Sequence, residues 1–162
     1  LNGNGLSGSI PQHEVGQLTN LGEFRVHDNN LNGSIPESLY GCPKLDFLTL
    51  NDNKLTGTIS TLVGKLQNLY YFDVRNNKLK GTIPDELVGP SEPGVNGFSH
   101  IDVSGNDIKG PTPESFCPQL KLDVRISDCK PDGNDLIEIE CSCCTSCCDK
   151  DGDNCEESAD RL

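Results

Sequence analysis

Residues 45–66 read LDFLTLNDNKLTGTISTLVGKL, and this stretch decides the architecture. Leu48 and Leu50 flank Thr49, an alternation that predicts a short strand with one buried face. Asn53 follows the strand. Its amide both donates and accepts, so it can turn the chain inward and satisfy backbone groups of its own turn and of a neighbouring coil. Buried without such partners, that amide would cost roughly 1–3 kcal/mol. Gly57 then bends a return path along the far side. A helical reading fails, because the apolar spacing matches no 3.6-residue stripe.

Outward from this stretch the pattern recurs. Leu55, Gly57, Ile59 and Ser60 repeat the beat of Leu31, Gly33, Ile35 and Pro36, and Leu79, Gly81, Ile83 and Pro84 repeat it again, with a period of 24 residues. Leu6, Gly8, Ile10 and Pro11 fit upstream with an offset of 25, and Ile108, Gly110, Thr112 and Pro113 fit downstream with an offset of 29. Asparagine keeps the same beat at Asn4, Asn29, Asn53, Asn77 and Asn106. About five coils result over 1–128, the first incomplete, and a cysteine-rich, acidic segment follows over 129–162. The sequence opens inside a repeat, so the expectation is a piece of a longer array. No single coil can bury its own leucines, and stability must come from neighbours and from covers at the ends. Leu122, Val124 and Ile126 alternate with charged residues and predict a last strand on the stack.

In its complete form the unit reads L-x-x-L-x-x-L-x-L-x-x-N-x-L-x-G-x-I-P-x-x-L, as in Leu18, Leu21, Phe24, Val26, Asn29, Leu31, Gly33, Ile35, Pro36 and Leu39. This resembles the plant-type leucine-rich repeat of receptor-kinase ectodomains and polygalacturonase-inhibiting proteins. Departures are small: Cys42 and Pro90 replace opening leucines, Ser60 replaces proline and Thr112 replaces isoleucine. The resemblance implies a right-handed leucine-rich-repeat solenoid with a short-stranded parallel sheet on the concave face and little helix. It also implies a ligand laid on that face.

Of the nine cysteines, eight lie between residues 117 and 155: Cys117, Cys129, Cys141, Cys143, Cys144, Cys147, Cys148 and Cys155. The run Cys141-Ser142-Cys143-Cys144-Thr145-Ser146-Cys147-Cys148 resembles the tails that follow the last repeat in leucine-rich-repeat proteins of diatoms and related algae. Four bridges stapling a cap in an oxidising, extracellular setting are the leading reading, with 105 connectivities open. A thiolate cluster for zinc or copper is the rival. Asp149, Asp151 and Asp153 alternate like a calcium loop, but Asn154 stands where an EF-hand needs glycine and Asp160 where it needs glutamate. No metal and no cofactor are therefore expected. Cys42 fills a leucine slot and reads as a buried free thiol.

With 25 acidic against 13 basic residues, the net charge is −12, which disfavours nucleic acid and anionic lipid as partners of the surface as a whole. No apolar run approaches the roughly 18 residues of a membrane span. On the concave sheet, the positions between strand leucines are expected to stack into exposed columns. These are Glu23, Phe47, Tyr71 and His100, then Arg25, Thr49, Asp73 and Asp102, then His27, Asn51, Arg75 and Ser104, then Asp28, Asp52 and Asn76. Phe47 and Tyr71 offer a stacking platform for a sugar or an apolar peptide side chain, and Arg25 and Arg75 can fork a carboxylate. Asp73 and Asp102 permit a glycosidase-type pair, yet adjacent acids are ordinary on so acidic a chain. No serine or cysteine nucleophile is expected beside a histidine, and no P-loop, kinase or Rossmann pattern occurs.

The expected function is non-enzymatic: an extracellular module binding a protein, peptide or glycan on its concave face. A receptor-kinase ectodomain and a structural or adhesive wall protein are the alternatives.

Overall fold

The computed structural model describes residues 1–87 and 99–113 in full, and the backbone of 123–127, 146–148 and 155–157. Each coil from the second to the fifth contributes one strand to each of two sheets, and the first coil gives a strand to one of them. The first sheet takes β2 (Glu23–Arg25), β4 (Phe47–Thr49), β6 (Tyr71–Asp73), β8 (His100–Asp102) and β10 (Asp123–Ser127), all parallel. β11 (Ser146–Cys148) continues it in parallel and β12 (Cys155–Glu157) closes it antiparallel. The second sheet takes β1 (Ser7–Ser9), β3 (Asn30–Ser34), β5 (Lys54–Thr58), β7 (Lys78–Gly81) and β9 (Asp107–Ile108). Among the described residues, helix is confined to one turn at Gln12–Val15 and to 3-10 segments at Glu37–Gly41, Thr61–Lys65 and Asp85–Leu87.

Only one sheet was expected from the sequence; the second is a correction. The L-x-G-x-I segment does alternate with period two, and Leu55 and Ile59 do point inward, but glycine at its centre weakens strand propensity and reads as a bend. Here the glycines run at positive φ inside extended segments, as at Gly57 with φ 84°. A Cβ on Gly57 would find ordinary room, 3.4 Å from Ser34 Cβ of the preceding coil, so it is the left-handed φ that selects glycine there.

The core lies between the sheets in files that repeat the period. Leu48, Phe72 and Ile101 are fully buried, as are Leu50 and Val74, Leu55 and Leu79. Burying each such side chain contributes about 1.5–3 kcal/mol, and every one rests on the coil beside it. Cys42 is fully buried in a leucine slot, its thiol 3.6 Å from the Val15 carbonyl oxygen and its pKa raised by burial.

The asparagines tie one coil to the next. Asn77 Oδ1 accepts from Leu55 N–H at 2.9 Å, while its Nδ2 donates to the carbonyls of Leu50, Val74 and Arg75 at 3.0–3.1 Å. Asn53 bonds Leu31 N–H, and Asn106 bonds Leu79 N–H, in the same way. Asn29 accepts from the amides of Asn4 and Leu6, whereas Asn4 itself, in the first coil, donates only to the exposed carbonyls of Leu1 and Asn2. The residue before the ladder position is left-handed in each coil: Asp28, Asp52 and Asn76 at φ 53–55° and Gly105 at 62°. Those are the residue types that tolerate this conformation.

The predicted last strand exists as β10, with Val124 opposite Ile101. The side chains of Cys117, Cys129, Cys141, Cys143, Cys144, Cys147, Cys148 and Cys155, and with them the bridges, the thiolate cluster and the acidic loop of Asp149, Asp151 and Asp153, lie outside the described residues.

Candidate functional site

Register places the predicted columns side by side: Glu23 opposite Phe47, Phe47 opposite Tyr71 and Tyr71 opposite His100, with Arg25, Thr49, Asp73 and Asp102 in the next file. Nine of the fifteen residues in the predicted columns line one open cleft of about 400 Å³; Glu23, Asp52, Asn76, His100, Asp102 and Ser104 are outside its lining.

The rings form a continuous row. Phe47 and Tyr71 stack at 5.6 Å and 18°, Tyr71 and His100 at 4.3 Å and 14°, and the Arg25 guanidinium carbon caps the row 4.6 Å from the Phe47 centroid. Arg25 Nε is anchored to Glu23 Oε2 at 2.9 Å. Each ring of Phe47 and Tyr71 therefore has both faces covered, and a ligand meets their edges. Tyr70, which the columns omitted, leans on Phe47 at 5.8 Å and 54° and is 40 % exposed. Its amide and that of Tyr71 both donate to the Asp46 carbonyl, which sets the paired tyrosines at the strand entrance. The signal for it was the Tyr70-Tyr71 doublet.

Not all of the face is exposed, as the column reading assumed. Asp73 is 3 % and Asp102 1 % accessible, and Thr49, Asn51 and His100 are buried too. Strands about 4.8 Å apart let Phe47, Tyr71 and Arg75 lean over smaller neighbours, and β10 extends the sheet beyond His100 and Asp102. Each buried acid is held by its own strand end: Asp73 Oδ1 accepts from Arg75 N–H at 3.1 Å, and Asp102 Oδ1 from Ser104 N–H at 3.0 Å and Ser104 Oγ at 2.5 Å. The Arg75 guanidinium lies 3.4 Å from Asp73, 3.9 Å from Asp102 and 3.7 Å from Asp52. Asp52 is fixed in turn by the amides of Asn51 and Asn76.

Burial, and next the charge of Asp102, push the Asp73 carboxyl up to about 7 despite Arg75. Burial works against the Arg75 charge, but Asp73, Asp102 and Asp52 outweigh it and raise its pKa. Asp102 and Asp52 outnumber the one guanidinium even where Asp73 keeps its proton, so the floor of the cleft is net acidic. Arg75 is thus committed to the protein's own acids, which runs against its reading as a fork for a ligand carboxylate. The Asp73–Asp102 pair is sealed and locked to backbone amides, which does not suit a glycosidase pair that must reach a substrate.

The structure brings a threonine hydroxyl beside a histidine: His27 Nδ1 lies 3.2 Å from Thr49 Oγ1, with Asp28 Oδ2 3.8 Å from Nε2. Thr49 is only 6 % accessible, so this contact orients His27 at the rim of the cleft.

Residues 68–89 match the family model described as Leucine Rich Repeat. Among solved structures, the chain is similar to the plant peptide hormone receptor RGFR1 in complex with RGF2, with 32 % identity over 75 % of this chain and 19 % of that chain and a TM-score of 0.65. It is similar to the Arabidopsis receptor kinase HAESA in complex with the peptide hormone IDA and the co-receptor SERK1, with 31 % identity over 75 % of this chain and 20 % of that chain and a TM-score of 0.64. A plant ice-binding protein matches with 30 % identity over 78 % of this chain and 41 % of that chain, at a TM-score of 0.65. The chain spans about a fifth of the length of the two receptors. Its coils, asparagine file and parallel strands make it a leucine-rich-repeat solenoid, structurally similar to plant receptor ectodomains.

Proposed function

We propose that this chain is a non-enzymatic extracellular recognition module that binds an extended peptide, or a protein loop in extended form, across its concave sheet. The observation that carries the reading is the unbroken row Arg25–Phe47–Tyr71–His100, one residue per coil, beside a cleft with an acidic floor. An extended ligand crossing the strands meets one member of the row at each coil, and alternate side chains fall toward the cleft. Ring faces already covered by one another favour peptide over the sugar stacking that exposed faces would serve. The floor suits a cationic or amide-bearing side chain. Similarity to RGFR1 and HAESA, both solved with peptide hormones, supports the same reading and an extracellular location.

The test is a display library of extended peptides selected against the chain, followed by Phe47→Ala with Tyr71→Ala. Loss of roughly tenfold or more in affinity is expected from removing two central aromatic anchors. Peptides that bind the double variant as tightly as the parent would overturn the site. The receptor-kinase ectodomain is the second reading, favoured by the likeness to HAESA; a membrane span and kinase motifs in the gene would decide it.

A further inference from the structure

The second sheet carries a charge opposite to that of the molecule. Lys54 and Lys78 occupy the position after the ladder asparagine in consecutive coils, and Lys80 and Lys109 occupy the position after the following leucine or isoleucine in consecutive coils. All four are exposed. Among the described residues, Asp107 opposes them, 3.9 Å from Lys80 Nζ and 3.8 Å from Lys109 Nζ. Among the described residues, no carboxylate lies within ion-pair distance of Lys54 or Lys78. Four of the eight basic residues in 1–116 thus stand on one sheet face of a chain whose net charge is −12. The earlier coils carry Asn30, Ser7 and Asn32 at the same positions, so the charge is confined to the coils of β5, β7 and β9. Beside the lysines runs a file of exposed hydroxyls at Ser34, Thr58 and Thr82.

We propose that this face is a second binding surface, separate from the concave cleft, for a linear acidic polysaccharide of the polyuronate class lying along the solenoid axis. The register sets Lys78 opposite Thr56 and Lys80 opposite Thr58, so lysines at equivalent positions of consecutive coils are staggered by two residues along the strand; with one strand spacing across, that is roughly 8 Å, the separation of carboxylates two sugars apart on one side of a linear chain. Lysine is a compact point charge, suited to single carboxylates; no arginine stands here to fork a phosphate. The threonine and serine hydroxyls both donate and accept, as sugar hydroxyls require. A dense polyanion such as nucleic acid gains from the same lysines but is repelled by the acidic remainder of the surface, which a thin single chain largely avoids.

The test uses the full chain and polygalacturonate, with its methyl ester, neutral dextran and polyglutamate as comparators, in affinity electrophoresis at low salt. Polygalacturonate is expected to retard the chain and the other three are not, with the retardation falling as salt rises. Lys78→Gln with Lys80→Gln is expected to weaken binding roughly tenfold, while Lys44→Gln with Lys65→Gln, the same change in net charge away from the sheet, leaves it within about twofold. These are exposed positions, and an unchanged circular dichroism spectrum checks that the fold is kept. Phe47→Ala with Tyr71→Ala is expected to bind polygalacturonate normally, so failure of the peptide reading and failure of this one are told apart. Equal loss in the two lysine doubles, equal retardation by polyglutamate, or no retardation at all would overturn the proposal.

Discussion

Replacing Asp73 by asparagine isolates the proton that this buried carboxyl holds. Burial first and Asp102 second carry its pKa from 3.8 to about 7. A carboxyl raised in the folded state keeps a proton that the unfolded chain has already released. Stability therefore falls as pH rises from about 4 to about 7 and is level on either side as far as this group is concerned. At about 1.4 kcal/mol per pKa unit the fall amounts to at most ~4 kcal/mol, and movement of Arg75 toward the new charge trims it. Asp73→Asn keeps the neutral shape at every pH. The stability gap between variant and parent is expected to shift in the variant's favour by about 2–4 kcal/mol between pH 4 and pH 8, while titrating groups not coupled to Asp73 cancel in the difference. Urea unfolding at about pH 4.5, 6 and 8, with hydrogen exchange at Val74 and Ile101 to single out these coils, measures the gap locally. A gap constant across the three pH values would refute the account of Asp73 as a carboxyl held neutral by burial.

Asn77→Ala leaves the buried Leu55 N–H without its acceptor and strips a donor from three carbonyls, so a loss of about 3–5 kcal/mol is expected; Asn4→Ala, which bonds only exposed carbonyls, should cost under about 1 kcal/mol. Equal shifts of the two urea midpoints would show that the asparagines do not join the coils. Gly105→Ala puts a Cβ 2.2 Å from Asn76 Oδ1 on a backbone at φ 62° and is expected to cost about 2–4 kcal/mol. Gly41→Ala, with nothing within 4 Å, is the control and should stay within about 0.5 kcal/mol in the same thermal melts; a silent Gly105→Ala would mean that the Asn76 turn moves aside freely.

The period, the strand register and the placing of the rows were legible because they depend only on which residues recur at one spacing. Glu23, Phe47, Tyr71 and His100 fall in one file whatever their side chains then do. What those side chains do was not legible. Whether Asp73 faces water depends on how far Phe47, Tyr71 and Arg75 lean across the gap between strands, a rotamer choice that spacing does not encode. The ring faces were expected to be open for the same reason: a column says that two rings are neighbours, and the angle between them decides whether a face remains. The second sheet was hidden by Gly33, Gly57 and Gly81, whose low strand propensity masks a period-two pattern that the contact between coils enforces. The contact of Thr49 with His27 joins different columns on adjacent coils, a diagonal that a reading by columns passes over.

Burial divides the concave face into parts with different work. Asp73 and Asp102 are pinned by backbone amides two residues on, and Arg75 is drawn among three carboxylates, so the floor enters binding already ordered and gives up little entropy there. Glu23 and Arg25, with side chains 57 % and 42 % accessible, form a rim that can rearrange around a ligand. A ligand group that reaches the floor must match a fixed negative charge, whereas one that meets the rim can draw Arg25 off Phe47 and expose a ring face in exchange. Discrimination between ligands of different charge should therefore come from Asp73, Asp102 and Arg75, and tolerance of different apolar side chains from Arg25 and Phe47. The two would separate in a peptide series that varies charge at one position and shape at the next.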